Sequence, residues 1–224
     1  MKTIAITTIF LLSVHLGKAQ QPIIKEVGDF NIIKVFDLIE TELIKGDEQK
    51  VEVSGRNADK VRVINKDGKL KIRMEINKRF KGEDVFVKVY YKSLDVIDGN
   101  EGSRITLQQL IKQDEIELRT QEGAKISGGF EVDHIDIRVV TGGIIETTGK
   151  AQSQDVKVNT GGIYKGRALE TERTEVFVQA GGEVSVHTTK KVSAKVRAGG
   201  EVYVYGNPTE VNKNTVFGGN IKVY

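Results

Sequence analysis

The alternation of apolar and polar positions divides the chain into three stretches. From Ile4 to Leu16 the residues are mostly apolar, with Lys2 ahead of them and Gly17, Lys18 and Ala19 behind. A short apolar run between a basic residue and small residues predicts a secretory signal peptide over residues 1–19, cleaved after Ala19 and too short to be a membrane span. No later stretch is apolar enough to cross a bilayer.

Between Phe30 and Tyr90 the segments FNIIKVF, ETELIK, VEVSG, VRVIN, LKIRMEI and VFVKVYY are rich in Val, Ile and aromatics, several with period-two alternation. Such runs predict strands. KGDEQK and KDGK separate them, and Asp67-Gly68 suits a two-residue hairpin turn. The expected structure over residues 20–93 is a small antiparallel sheet that caps the remainder of the chain.

Beyond Leu94 the pattern repeats. Small-residue pairs stand at Gly102-Ser103, Gly123-Ala124, Gly142-Gly143, Gly161-Gly162, Gly181-Gly182, Gly199-Gly200 and Gly218-Gly219, in steps of 21, 19, 19, 20, 18 and 19 residues. Three residues after each first glycine the chain has Ile105, Ile126, Ile145, Tyr164, Val184, Val202 and Ile221, all apolar or aromatic, followed by an outward position such as Thr106, Glu146 or Lys165. Upstream, Ile137 and Val139, Val156 and Val158, Val176 and Val178, and Ala194 and Val196 point one way, and Arg138, Lys157, Phe177 and Lys195 the other. A unit of strand, glycine bend, strand and turn cannot bury its apolar face alone, so the units stack. The prediction is an all-β protein: an N-terminal antiparallel sheet followed by a right-handed parallel β-helix or solenoid of about seven coils over residues 94–224. Residues 20–224 then form one continuous domain. At about 4.8 Å per rung the column is on the order of 30 Å tall. The competing arrangement is an antiparallel sandwich of hairpins turning at each glycine pair.

Composition adds limits. With 24 glycines, two prolines and 6% aromatics, short strands and tight bends are favoured over long helices. The lack of cysteine excludes disulfides, thiolate metal sites and an acylated cysteine. Loss of residues 1–19 removes Lys2 and Lys18 and no acid, taking the formal charge from +3 to +1, which gives no general argument for nucleic acid or a membrane surface.

FNIIKVFDLIETELIKGDEQKVEVSG, KDGKLKIRM, the stacked VxVxxGGxI units, and YGNP followed by FGGNIKV together resemble the bacterial auto-transporter adhesin head domain family, also called the head GIN domain. The resemblance covers nearly the whole chain after the signal peptide. It implies a single-chain, mostly parallel β-helix with an N-terminal sheet. An adhesive role is implied by the family name alone.

Candidate chemistry is sparse. His134 and His187 fall in different coils without metal-ligand spacing, so neither a metal nor a cofactor is expected. Asp95, Asp98, Glu101, Glu122, Asp133 and Asp136 are acids near the first coils that could serve as paired carboxylates or bind calcium, but calcium-loop spacing is missing. GGIYKGRA over 161–168 has a phosphate loop's glycine separation, yet Arg167 and Ala168 replace the needed lysine and hydroxyl residue. No residue is assigned a catalytic role.

Binding candidates are stronger. Stacking places Arg167, His187, Tyr205 and Tyr224 in one outward column, with Lys165, Tyr203 and Lys222 two residues before them in their own rungs. Aromatic and cationic groups so arranged suit a sugar ring or an acidic glycan. A second column, Arg119, Arg138, Lys157, Phe177 and Lys195, suits a polyanion. Gly142, Gly143, Gly161, Gly162, Gly181, Gly182, Gly199, Gly200, Gly218 and Gly219 are assigned to bends, and Glu183 and Glu201 to stacked solvent-facing positions. The last coil needs covering, by a partner, a second copy, or a turn folded back from YGNPTEVNKN. The expected protein is an exported, non-enzymatic interaction module of the periplasm, outer surface or extracellular space, with a cell-envelope protein or glycan as partner. The alternatives are an enzyme acting on envelope polysaccharide and a structural scaffold.

Overall fold

The computed structural model describes residues 21–224; the signal-peptide segment lies outside the described residues. The N-terminal stretch holds β1 (Ile23–Glu26), β2 (Ile32–Val35), β3 (Glu40–Lys45), β4 (Lys50–Gly55), β5 (Val61–Lys66), β6 (Lys69–Met74) and β7 (Val85–Tyr91). After it come β8 (Val96–Gly99), β9 (Arg104–Leu107), β10 (Ile111–Thr120), β11 (Lys125–Val139), β12 (Ile144–Asn159), β13 (Ile163–Gln179), β14 (Glu183–Arg197), β15 (Glu201–Tyr205), β16 (Glu210–Val216) and β17 (Asn220–Val223). The chain is all-β, a solenoid of about seven turns with stacked parallel strands.

Two columns of strands flank the glycine bends. Before the bend, β8, β10, β11, β12, β13, β14 and β16 pair in parallel, each on the one before. After the bend, β9, β11, β12, β13, β14, β15 and β17 do the same. The repeat is regular enough that Ile105, Ile126, Ile145, Tyr164, Val184 and Val202 all have 0 or 1% exposure. Stacking identical apolar positions buries what one coil alone would leave in water.

At each bend two consecutive residues lie in the left-handed region, as at Thr160 (φ 51°) and Gly161 (φ 73°). Two such residues reverse the chain tightly, in the manner of the primed hairpin turns. The following glycine serves a different need. At Gly162 an added Cβ would lie 2.8 Å from both Cγ1 and the carbonyl oxygen of Val139, in the rung before.

The N-terminal stretch departs from the expected division at residues 93 and 94. Antiparallel pairing is present, joining β1 to β4, β4 to β7 and β5 to β6, with Asp67 and Gly68 both at positive φ in the turn of the last. However, β2 pairs in parallel with β6 and β8, and β3 with β7 and β9. The solenoid column therefore extends back to β2, and the β2–β3 rung lies between β6–β7 and β8–β9, out of chain order. Period-two alternation marks a half-buried strand but does not name its neighbour, so the parallel partners were not readable. The bend of that rung has no glycine. Asp37 (φ 60°) and Leu38 (φ 64°) adopt the same left-handed pair, and the buried Asp37 carboxylate accepts hydrogen bonds from Met74 N–H (3.0 Å) and Phe80 N–H (3.2 Å). Those bonds offset the strain of the conformation.

At the other end, YGNPTEVNKN does not fold back over the last coil: its second half is β16, which forms the last rung itself on β14. In register with Val192, Ala194 and Val196 stand Val211, Lys213 and Thr215. The polar replacements, Lys213 above all, blunt an edge that would otherwise offer apolar side chains and unpaired backbone to another strand.

The core also contains a polar network. Tyr164 Oη donates to Gln154 Oε1 (2.8 Å) and is bonded to Thr147 Oγ1 (2.9 Å). Gln154 Nε2 donates in turn to Thr171 Oγ1 (3.2 Å) and Thr174 Oγ1 (3.1 Å), and Thr171 Oγ1 to the His187 carbonyl (2.8 Å). Burial holds the Tyr164 phenol far above its ordinary pKa, so it remains a neutral donor. The ring fits because the next inward position in its own strand is Gly166.

Candidate functional site

The outward residues of the last rungs form a connected ladder. Between β13 and β14 the register passes from Gly166 opposite Val186 to Glu170 opposite His187, so Arg167, Ala168 and Leu169 form a bulge. A bulge re-aims the side chains it carries. The Arg167 guanidinium carbon comes to rest 4.2 Å from the centroid of the Tyr205 ring, reaching past the β14 rung. From the opposite side Tyr224 stacks on the same ring, with centroids 5.1 Å apart and planes inclined by 12°. Beside them the Lys222 ammonium lies 5.4 Å from the Tyr203 centroid. Arg167, Tyr205 and Tyr224 are thus joined, as are Tyr203 and Lys222.

His187 and Lys165 are placed differently. His187 is in register with Tyr205, and a Cβ at Gly206 would lie 2.5 Å from its Cδ2 atom, so the imidazole packs on the turn after β15. Lys165 is exposed, and Ser185 separates it from Tyr203 along the register. Tyr205 has both faces occupied, by Arg167 and Tyr224. The open stacking surface is the outer side of Tyr224, which is 57% exposed.

A groove of about 440 Å³ lies on earlier rungs, lined by residues that include Glu40, Glu42, Phe86, Lys88 and Arg104, none of them in the ladder. Arg104 there pairs with Glu40 at 3.4 Å.

The second column is in register as expected, with Arg119, Arg138, Lys157, Phe177 and Lys195 on successive rungs. The sequence reading missed the column beside it, where Glu117, Asp136, Asp155 and Glu175 stack two residues earlier. Glu117 accepts a hydrogen bond from Arg119 and forms an ion pair with Arg138 Nε (2.7 Å), so the column's first cations are already paired with acid. Burial pushes the Glu117 carboxyl upward, but the Arg119 hydrogen bond and the charges of Arg119, Arg138 and Lys157 outweigh it and hold the group below its ordinary value. A carboxyl so depressed stabilises the fold above its unfolded pKa, about 4.3, and loses that contribution as pH falls through the folded value. Thermal midpoints measured from pH 7 downward are expected to drop below about pH 4.3, with a smaller drop in Glu117→Gln.

The other acids are mostly engaged. Asp98 pairs with Lys34 (2.6 Å), Glu101 with Arg79 (2.9 Å), Asp95 with Asn31 and Asp133 with Gln152. Glu122 sits at a bend with φ 54°. One grouping was invisible to residue spacing: His134, Asp136 and, from the next rung, Asp155 bring ligand atoms within 4.8 Å of one another. His134 Nδ1 is bonded to Ser153 Oγ (2.9 Å), while Arg138 and Lys157 follow the two aspartates on the same face and oppose a further cation. In GGIYKGRA, Gly161 turns the bend and Gly166 makes room for Tyr164, so both glycines have structural roles. Glu183 and Glu201 stack in register.

A parallel β-solenoid with an aromatic and cationic ladder on its outer face defines a class of surface-presenting repeat scaffold. Residues 29–208 match the family described as "Putative auto-transporter adhesin, head GIN domain", and the chain belongs to that family. Among solved structures, a "putative adhesin" from Bacteroides fragilis superposes with a TM-score of 0.83 at 16% identity, over 91% of this chain and 96% of that one. Others named the same way come from Parabacteroides distasonis (TM-score 0.72, 22% identity, 93% and 98% covered) and Parabacteroides merdae (0.70, 16%, 91% and 95%). At these identities the likeness establishes the shared fold. No curated protein matches the chain. Among the described residues no helix is long and apolar enough to cross a membrane.

Proposed function

We propose that the protein is an exported, non-catalytic interaction module of the cell envelope or surface, and that it holds a carbohydrate against the Arg167–Tyr205–Tyr224 ladder. The observation that carries this reading is the ladder itself. Tyr205 is fixed between Arg167 at 4.2 Å and Tyr224 at 5.1 Å, which orients the Tyr224 ring with its outer side open to solvent. An oriented aromatic surface receives the C–H face of a sugar ring without first losing side-chain freedom. Neighbouring Lys222 supplies donors to hydroxyl or carboxylate groups at its edge. The N-terminal signal-peptide pattern supports export, and the family name supports an adhesive role.

A glycan array probed with the chain from residue 21 onward tests the reading. Binding to a defined set of sugars is expected, and it is lost when Tyr203 and Tyr205 are both changed to alanine. Binding that survives the double change contradicts the ladder as the site, and release of shortened sugars would mark an enzyme instead.

A further inference from the structure

On the outward face of the β5–β6 hairpin, at the opposite end of the stack from the ladder, five of six side chains are cationic. Lys69, Lys71 and Arg73 take successive outward positions on β6, and opposite them on β5 stand Lys66, Ile64 and Arg62. Lys66 faces Lys69 and Arg62 faces Arg73 directly. On the other side of β6, β2 adds Lys34 beside Lys71. Like charges directly opposite one another destabilise a strand pair.

Two of these cations have acidic partners: Arg62 meets Glu75 (3.0 Å) and Lys34 meets Asp98 (2.6 Å). Arg73 instead lies over the Phe36 ring at 5.9 Å. Among the described residues, Lys66, Lys69, Lys71 and Arg73 have no carboxylate within 4.0 Å, although Asp67 is in the turn between them. The rungs stacked next on this face differ. From β10 to β13 an acid column runs beside the basic one, and Glu117 alone pairs with two arginines.

We propose that this hairpin face binds a linear polyanion, a polysaccharide bearing carboxylate or phosphate groups, laid along β6. Outward positions on one strand are about 6.8 Å apart, so Lys69, Lys71 and Arg73 make a straight row of charges that a linear chain of anions can follow. Lys66 and Arg62 close in from one side and Lys34 from the other. A lipid surface fits the face less well, because insertion calls for an apolar cluster and Ile64 is the one apolar residue among the six.

Titration of the chain from residue 21 onward with alginate, with polyphosphate and with neutral dextran is the test. Binding to at least one polyanion and none to dextran is expected, weakening as salt rises. Alginate against polyphosphate separates carboxylate from phosphate as the recognised group. The double change Lys69→Gln with Lys71→Gln is expected to weaken binding by roughly tenfold or more, with a thermal midpoint unchanged or raised because repulsion is relieved. Should that variant fail to fold, Lys66→Gln at the hairpin's end serves in its place. Lys157→Gln, beside Asp155 in the second column, is expected to leave binding unaltered. The proposal is overturned by absence of binding to both polyanions, by equal weakening in the second-column variant, or by stronger binding to phosphatidylglycerol vesicles that Ile64→Ser abolishes.

Discussion

Gly166→Ala is expected to lower stability by about 3 kcal/mol, the upper part of the range for overpacking a core. For a chain of this length that corresponds to a thermal midpoint lower by roughly 6–12 °C. The cause is specific. In β13 the alternation sends Tyr164 inward, Lys165 outward and Gly166 inward, and a Cβ at Gly166 would lie 2.5 Å from Tyr164 Cζ and 2.6 Å from its Cε1 and Oη atoms. The ring cannot retreat without breaking its bonds to Gln154 and Thr147, and either buried group then lacks a partner, at a cost of about 1–3 kcal/mol. Val184 and Val186 fill the corresponding inward positions of the next rung. Changing Tyr164 to Val in the Gly166→Ala background should therefore recover part of the loss, the remainder being the orphaned Gln154 amide oxygen. A Gly166→Ala midpoint equal to that of the parent protein would show that the ring is not confined as described.

The second large effect separates the two glycines of a bend. Gly181 lies at φ 80° with its nearest contact to an added Cβ at 4.0 Å, the Gly161 nitrogen. Ala180 before it already tolerates φ 56°. Alanine at 181 should cost about 1 kcal/mol, the ordinary penalty for a left-handed residue with a Cβ. Gly182 is at φ 129°, and an added Cβ would lie 2.6 Å from Val158 Cγ1 and 2.9 Å from the Gly162 carbonyl oxygen. Conformational strain and contact with the preceding rung then act together, for an expected loss of about 3–4 kcal/mol. Parallel chemical denaturation of the two variants measures the difference. Equal losses would mean that the bend does not depend on how closely the rungs approach.

That asymmetry explains why so much of the solenoid was legible. Where a bend needs both a left-handed residue and close approach, glycine meets both needs, and the Gly-Gly pairs mark the period. Where another device satisfies the backbone, the mark disappears. Asp37 and Leu38 turn the β2–β3 rung with the aid of the Asp37 carboxylate, so the glycine alignment began one bend too late. The out-of-order insertion of that rung between β6–β7 and β8–β9 left no trace in alternation, because a strand's pattern is the same whichever neighbour it takes.

The ladder was legible in the same uneven way. Counting from the glycines put Arg167, Tyr205 and Tyr224 in one column, and their side chains do touch, at 4.2 Å and 5.1 Å. It could not show the bulge after Gly166, which lets Arg167 pass over a rung, nor that Tyr205 is enclosed while Tyr224 is open. The acids beside the second column were equally hidden. Glu117, Asp136 and Asp155 look scattered along the chain and become a column only when the rungs stack. The Tyr164 network follows the same logic: threonine and glutamine at inward positions read as interruptions until their partners on other rungs are known.

The constant positions of the repeat thus build the scaffold, and the proposed binding function rests on residues that differ between rungs. Calorimetric titration of a sugar selected from the array, with the parent protein and with Tyr224→Ala, separates the two roles when thermal midpoints are recorded in parallel. Tyr224→Ala is expected to weaken binding by at least roughly tenfold, an aromatic contact being worth about 1.5 kcal/mol, while the midpoint changes little because the ring is exposed. Undiminished affinity in a fully folded Tyr224→Ala protein would contradict the ladder as the binding surface.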